Sequence, residues 1–284
     1  MNARKLMGLA STLIILLGSV PAIADITMGI FPRRPIAVTH KAFKPLADQL
    51  SKVLGEKVVL VIPKDFKTFW KSVKEKKFDL VHYNQYHYIK SHKEQGYKVI
   101  VVNEEKGSRT IAGQLTVRKD SGIKSIKDLK GKTILFGGGP KAMGSYIAPT
   151  AILKKAGLVA GKDYKVKFAK NPPSAVIAAF NKASDAAGSG NIILKVKGVK
   201  SKIDTSQMVA LAVSEPFIHL TWAVKGDFPT DKAKKIQEFM TSLHKTPEGK
   251  AILKSAKVTN FHAATDADFG KVREITKYAV GEEY

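Results

Sequence analysis

From Asp25 onward, short apolar runs alternate with longer stretches in which apolar residues recur every three or four positions. Ile26 to Ile30 and Lys57 to Ile62 read as strands, and Thr39 to Leu54 between them reads as a helix with Phe43, Leu46, Ala47, Leu50 and Leu54 on one face, closed by Gly55. Asp65 to Lys76 repeats the helical period, with Phe66, Phe69, Trp70 and Val73 inward, and Phe78 to Val81 forms a third strand. Another helix, ending at Gln95, and a strand over Val99 to Asn103 continue the series. A β, α, β, α, β order predicts a mostly parallel sheet flanked by helices.

The second half starts with a strand at Gln114 to Arg118 and a helical turn at Ser125 to Leu129. Strands follow at Thr133 to Phe136, Lys165 to Phe168, Val209 to Ser214 and Thr221 to Val224. A helix over Pro173 to Asn181 takes Ser174 as its cap and turns Val176, Ile177 and Phe180 inward. The remainder reads as helical, over Lys232 to Leu243, Glu248 to Leu253 and Asp266 to Val280. There is no internal repeat and no long linker.

Candidate chemistry concentrates where these strands end. Thr133 to Lys155 runs from a strand through Gly137-Gly138-Gly139-Pro140 into a helix whose apolar face is Ile147, Ala148, Ala151 and Ile152. Such a turn delivers unpaired amide donors and the positive end of a helix dipole to one point, which suits an anion. The spacing matches neither a phosphate-cradling nucleotide loop nor a dinucleotide turn, so an ordinary strand-to-helix turn is the other reading. Phe31-Pro32-Arg33-Arg34-Pro35 sets two guanidinium groups just past a strand's carboxyl end, and His82 to Tyr88 is dense in hydrogen-bonding groups at another. His82 and His87 lie five apart and do not share a helix face. Ala186 to Asn191 is a small-residue strand end that admits close backbone approach, and Glu215 to His219 follows a further strand.

The 284 residues contain no cysteine and carry a formal charge of +24. Arg4 and Lys5, the apolar run Leu6 to Val20 and Ala22-Ile23-Ala24 have the order of a cleaved secretory leader; a membrane-anchoring helix is the alternative. Without Arg4 and Lys5, and with no acidic residue lost, the charge becomes +22. This field favours anionic partners, but the lysines are dispersed, arginine is scarce and aromatic interleaving is missing, which argues against nucleic acid. No G-x-S-x-G elbow, cysteine nucleophile or paired carboxylates suggest an enzyme.

Val117 to Gly157, VRKDSGIKSIKDLKGKTILFGGGPKAMGSYIAPTAILKKAG, resembles the periplasmic solute-binding proteins of the phosphonate, phosphite and phosphate family that feed ABC transporters. Met28 to Pro32, Asp79 to Tyr88 and Lys225 to Pro229 carry weaker matches, so the resemblance covers essentially the whole chain after residue 24. It implies an α/β, two-lobe fold of the type II periplasmic-binding kind, each lobe a mixed, mostly parallel sheet flanked by helices, with two crossing hinge strands. Residues 1–24 are then the leader, 25–114 plus 221–284 one lobe, and 115–220 the other. Where the family has a hydroxyl-rich turn, this chain has Lys141-Ala142-Met143-Gly144 followed by Ser145, and an acidic residue that meets a substrate amine is replaced by Gly190. Those departures argue against an aminoalkyl phosphonate.

The resulting expectation is a monomeric periplasmic receptor, without cofactor, for a small oxyanion handed to a membrane permease. Its candidate ligand residues are Arg33, Tyr83, Asn84, Gln85, Tyr86, Gly139, Lys141, Met143, Gly144, Ser145, Tyr146, Ser189 and His219. The alternatives are a receptor for a metal or metal complex, with His82, His87, Met143 and His219 as copper-type ligands, or a partner that presents its ligand to a membrane sensor.

Overall fold

A computed structural model describes residues 25–284; the leader expectation, on residues 1–24, lies outside them. Among the described residues no helix is long and apolar enough to cross a membrane. The strands are β1 (Ile26–Ile30), β2 (Val58–Val61), β3 (Leu80–Tyr83), β4 (Lys98–Glu104), β5 (Thr110–Ile111), β6 (Gly113–Arg118), β7 (Thr133–Gly137), β8 (Lys165–Ala169), β9 (Ala186–Gly190), β10 (Met208–Val213), β11 (Phe217–Ile218), β12 (Thr221–Val224) and β13 (Asn260–Ala263). The helices are α1 (Ile36–Leu54), α2 (Phe66–Lys74), α3 (Gln85–Gln95), α4 (Ala148–Lys155), α5 (Pro172–Phe180), the short α6 (Lys197–Lys200), α7 (Thr230–Ser242), α8 (Pro247–Ala256) and α9 (Gly270–Val280).

Two principal sheets result, a six-stranded one in the order β13-β4-β12-β3-β1-β2 and a five-stranded one in the order β10-β6-β9-β7-β8. Pairing is parallel where successive β-α-β units lie side by side, as in β1 with β2 and β3, or β7 with β8 and β9. It is antiparallel where the chain returns, at β12, β13, β6 and β10. Between the sheets the chain crosses twice, and the two crossings pair as β5 with β11. The carboxyl ends of β1 and β3 and of β7 and β9 thus carry the loops of interest.

Local chemistry accounts for most boundaries. Asp65 Oδ1 accepts from Thr68 N–H at 2.7 Å and starts α2 one residue later than the periodicity predicts. For α5 the cap is Asn171 rather than Ser174: Asn171 Oδ1 accepts from Ser174 N–H at 2.9 Å, with Pro172 at the first helical position. Phe66, expected inward, is 43% exposed because it sits at the first position of α2, ahead of the buried stripe Phe69, Trp70 and Val73. The final stretch, expected to be helical throughout, contains β13, whose four residues pair with β4. Asn260-Phe261-His262-Ala263 is too short and too mixed in polarity to show a strand period.

One large core spans the first sheet and continues into Met143, Ile147, Ala148 and Ala151 of the second half, where they meet Ile275 and Ala279 of α9. Two smaller cores lie on the faces of the second sheet. The apolar face of the glycine-turn helix is therefore used to join the halves of the molecule.

Candidate functional site

The glycine turn is built by close packing beneath it. A Cβ on Gly137 would stand 2.2 Å from Pro172 Cα, and one on Gly188 would stand 2.2 Å from Phe136 Cδ1 and 2.5 Å from the Ser145 carbonyl oxygen. Only bare backbone lets β7, β9 and the turn approach so nearly. After the glycines, Met143–Ile147 winds as a π-helical turn before α4 begins. The first bonds that close this turn are donated by Tyr146 and Ile147 to the Ala142 carbonyl at 2.9 and 3.1 Å. The amides of Met143, Gly144 and Ser145 precede them, so they are the orphan donors of the helix start. The Ser145 hydroxyl donates back to the Gly137 carbonyl, which locks the turn to the strand.

This segment lies against the other half. Asn84 Nδ2 donates to the Lys141 carbonyl at 3.1 Å, and the Lys141 ammonium lies 5.7 Å from the Trp70 ring centroid. Met143 is buried, and its sulfur accepts from Thr276 Oγ1 at 3.9 Å. Gly139 is half-buried at the rim, while Tyr146 turns its ring edge-on to Phe136 at 5.0 Å and packs with the second sheet.

On the first-sheet side the charges gather after β1. Arg33 Nη2 lies 3.6 Å from Glu105 Oε1, and His219 Nε2 lies 3.9 Å from Glu105 Oε2. Burial, and then the neighbouring Arg34, lower the Arg33 guanidinium to about 10, against the raising effect of Glu105. It remains a cation at neutral pH. Burial lowers Arg34 as well, with Glu105 opposing. The three imidazoles of the region are neutral: burial, and then Arg33, pull His82 well below its ordinary value, burial and Lys141 bring His87 to about 3, and burial brings His219 to about 4.

Several expected ligand residues are occupied elsewhere. The Tyr83 phenol is buried on the opposite side of β3 and bonds Ser91 Oγ at 2.7 Å. Asn84 caps α3 through Oδ1, which accepts from His87 N–H at 2.9 Å, and Gln85 Nε2 donates to the Ile218 carbonyl at 2.7 Å. The Tyr86 hydroxyl donates to Glu282. These side chains fasten the rim, since strand ends and helix starts have their own unpaired groups to satisfy. Ser189 is fully buried beside Gln114, and its hydroxyl is unpartnered among the described residues.

The copper-type set does not assemble. Among the described residues no three or more His, Asp or Glu side chains gather to hold one ion. His82 stacks on Trp222 at 4.4 Å, His87 is packed among Phe66, Phe69 and Trp70, and His219 Nδ1 accepts from Leu220 N–H at 2.8 Å. Arg34 and Glu105 were not singled out as ligand residues from sequence. Glu105 follows the end of β4, so the strand-end rule that marked His82 covers it, but nothing local separates it from Glu104, which bonds Thr259 and His262 instead.

The family model for the phosphonate-type periplasmic substrate-binding protein of ABC transporters matches residues 28–269. The chain belongs to this family. A relative, the phosphonates-binding periplasmic protein of Escherichia coli (strain K12), is 23% identical over 291 residues, covering 98% of this chain and 86% of the relative. A binding protein component of an ABC phosphonate transporter from Pseudomonas aeruginosa superposes with a TM-score of 0.76 at 16% identity, over 90% of this chain and 86% of that one. PhnD1 from Prochlorococcus marinus (MIT 9301), in complex with methylphosphonate, gives 0.74 at 18% identity, over 89% and 97%. The two-lobe fold is that of the family, and as a family member the chain is a periplasmic solute-binding component of a phosphonate-type ABC transporter rather than a member of an enzyme family.

Proposed function

We propose that this family member binds a small phosphorus oxyanion, such as a phosphonate, phosphite or phosphate, between its two sheets and passes it to a membrane permease. The reading is supported by donors on both halves of the molecule, which meet where Asn84 Nδ2 donates to the Lys141 carbonyl. Arg33 Nη2 and Arg34 Nη1 are buried and make no hydrogen bond among the described residues, Arg33 Nη2 standing 3.6 Å from Glu105 Oε1, and the second half supplies the orphan amides of Met143, Gly144 and Ser145. Charge-assisted hydrogen bonds of this kind are worth about 1.5–3 kcal/mol each, enough for tight binding once the crevice excludes water.

In this reading 25–114 with 221–284 and 115–220 are the two lobes, the β5–β11 crossing is the hinge, and residues 1–24 are a leader removed on export. Gly190 offers no carboxylate at its strand end, which speaks against an aminoalkyl ligand there. Differential scanning fluorimetry with millimolar methylphosphonate, phosphite and phosphate tests the proposal. A tight ligand raises the melting temperature by several degrees, because stabilisation grows as RT ln(1 + [L]/Kd). No shift with any of the three, confirmed by calorimetry, removes the reading.

A further inference from the structure

Beneath the Arg33–Arg34 turn the polar groups are of two opposed kinds. Arg33 Nη2 and Arg34 Nη1 are donors that make no hydrogen bond among the described residues, and His82 Nε2 and Glu105 Oε1 are buried atoms in the same condition. The tautomer of His82 follows from geometry: Nδ1 lies 2.9 Å from the Thr221 carbonyl oxygen, which can only accept, so Nδ1 carries the proton and Nε2 of the neutral ring is a bare acceptor. Glu105 is an acceptor through both oxygens. His219 Nε2–H faces Oε2, because Leu220 N–H occupies Nδ1, and Oε1 is left facing Arg33 across 3.6 Å, too far for a hydrogen bond. Arg33 and Glu105 keep 29% and 18% of their side chains exposed, so the pair is reachable from solvent.

Two unpaired acceptors beside two cations are the wrong lining for a fully ionised oxyanion. Sulfate or a sulfonate carries acceptors only, and would satisfy the guanidinium groups while setting its oxygens against Glu105 and His82. A phosphorus oxyanion that keeps one proton offers both kinds of group. Resting on the oxyanion reading above, we propose that Glu105, supported by His82, accepts a hydrogen bond from a P–OH group and makes this a receptor for singly protonated phosphorus oxyanions that rejects sulfur oxyanions. Arg33 and Arg34 bind the ionised oxygens. The acceptors supply the selectivity, by setting the half-buried Glu105 carboxylate against the oxygens of any ligand without a proton to give.

Hydrogen methylphosphonate and methanesulfonate make the test. Below about pH 6, where a phosphoryl group keeps its last proton, the two have the same charge and nearly the same shape and differ by that hydrogen. Calorimetry on the full protein at pH 5.5 should show methylphosphonate bound at least about 100-fold more tightly than methanesulfonate, as expected for one or two charge-assisted hydrogen bonds. Glu105→Gln, which keeps the shape and offers an N–H donor, should bring the ratio below about tenfold, weakening the phosphonate and strengthening the sulfonate. A ratio unchanged in the variant makes Arg33–Glu105 a structural ion pair and overturns the proposal. If Glu105→Gln does not fold, the wild-type protein decides with phosphate and sulfate at pH 7, where equal affinity overturns it. Binding of phosphonate or phosphate without discrimination sinks this inference alone, whereas binding of neither sinks the oxyanion reading with it.

Discussion

The two sides of the proposed site would hold charge in different ways. On the second sheet the donors are backbone amides at the start of the Met143–Ile147 turn, held by glycines that admit no Cβ and by the Ser145 hydroxyl on Gly137. On the first sheet they are side chains, Arg33 and Arg34, set against the Glu105 carboxylate and the His82 ring. Amides are fixed donors that ask only for an acceptor. The side-chain edge mixes donors with acceptors, and it can therefore distinguish one anion from another.

This contrast is broken most severely at Arg33. Arg33→Ala removes the first-sheet cation and should weaken methylphosphonate binding by about 100-fold or more in calorimetry, given about 1.5–3 kcal/mol per charge-assisted bond; a loss below fivefold would assign the affinity to the amides. Next in size is the pH response of the side-chain edge. His219 and His87 are held in the folded protein at about 4 and about 3, below the ordinary 6.5, so the unfolded chain binds more protons as pH falls. Stability contributed by keeping them neutral is complete above about pH 6.5 and is lost as pH drops towards 4, by about 3 kcal/mol for His219 alone. Melting temperatures measured from pH 7 to pH 4 should fall, and less steeply in His219→Gln.

Gly188→Ala probes the backbone edge. Its Cβ would meet Phe136 and the Ser145 carbonyl, and the overpacking should cost about 1–3 kcal/mol in chemical denaturation while lowering affinity about tenfold. Ser145→Ala removes one hydroxyl bond, worth about 1 kcal/mol of stability, with an affinity change of a few-fold. Lys141→Ala should be the mildest, about two- to fivefold in affinity, because this exposed ammonium lies over Trp70 and an exposed cation–π contact contributes about 0.5–1 kcal/mol.

The β-α-β order of the first half was legible in the chain because Phe43, Leu46, Ala47 and Leu50, or Phe69, Trp70 and Val73, repeat at helical spacing and are buried together. The glycine turn was legible for a similar reason, since its course depends on backbone conformation and glycine marks that locally. The His82 to Tyr86 cluster was visible as a density of polar groups, but which ones face the crevice was not. Tyr83 and His82 are adjacent, and the pleat sends one to Ser91 in the core and the other beneath Arg33. Glu105 carries no local mark at all. Its partners, Arg33 and His219, stand far from it along the chain and meet it only because the first strand's end and the two crossings converge.

The sequence by itself determined the alternation of strands and helices, the positions where strands end in loops, the strongly positive charge and the resemblance to a family, because each is written in residues close together. Only the tertiary structure decided which buried polar atoms are left without partners and which tautomer His82 holds. Those depend on Thr221, Leu220 and Glu105, brought beside β1 and β3 by sheet pairing, and a hydrogen bond between distant residues leaves no pattern in either of them alone.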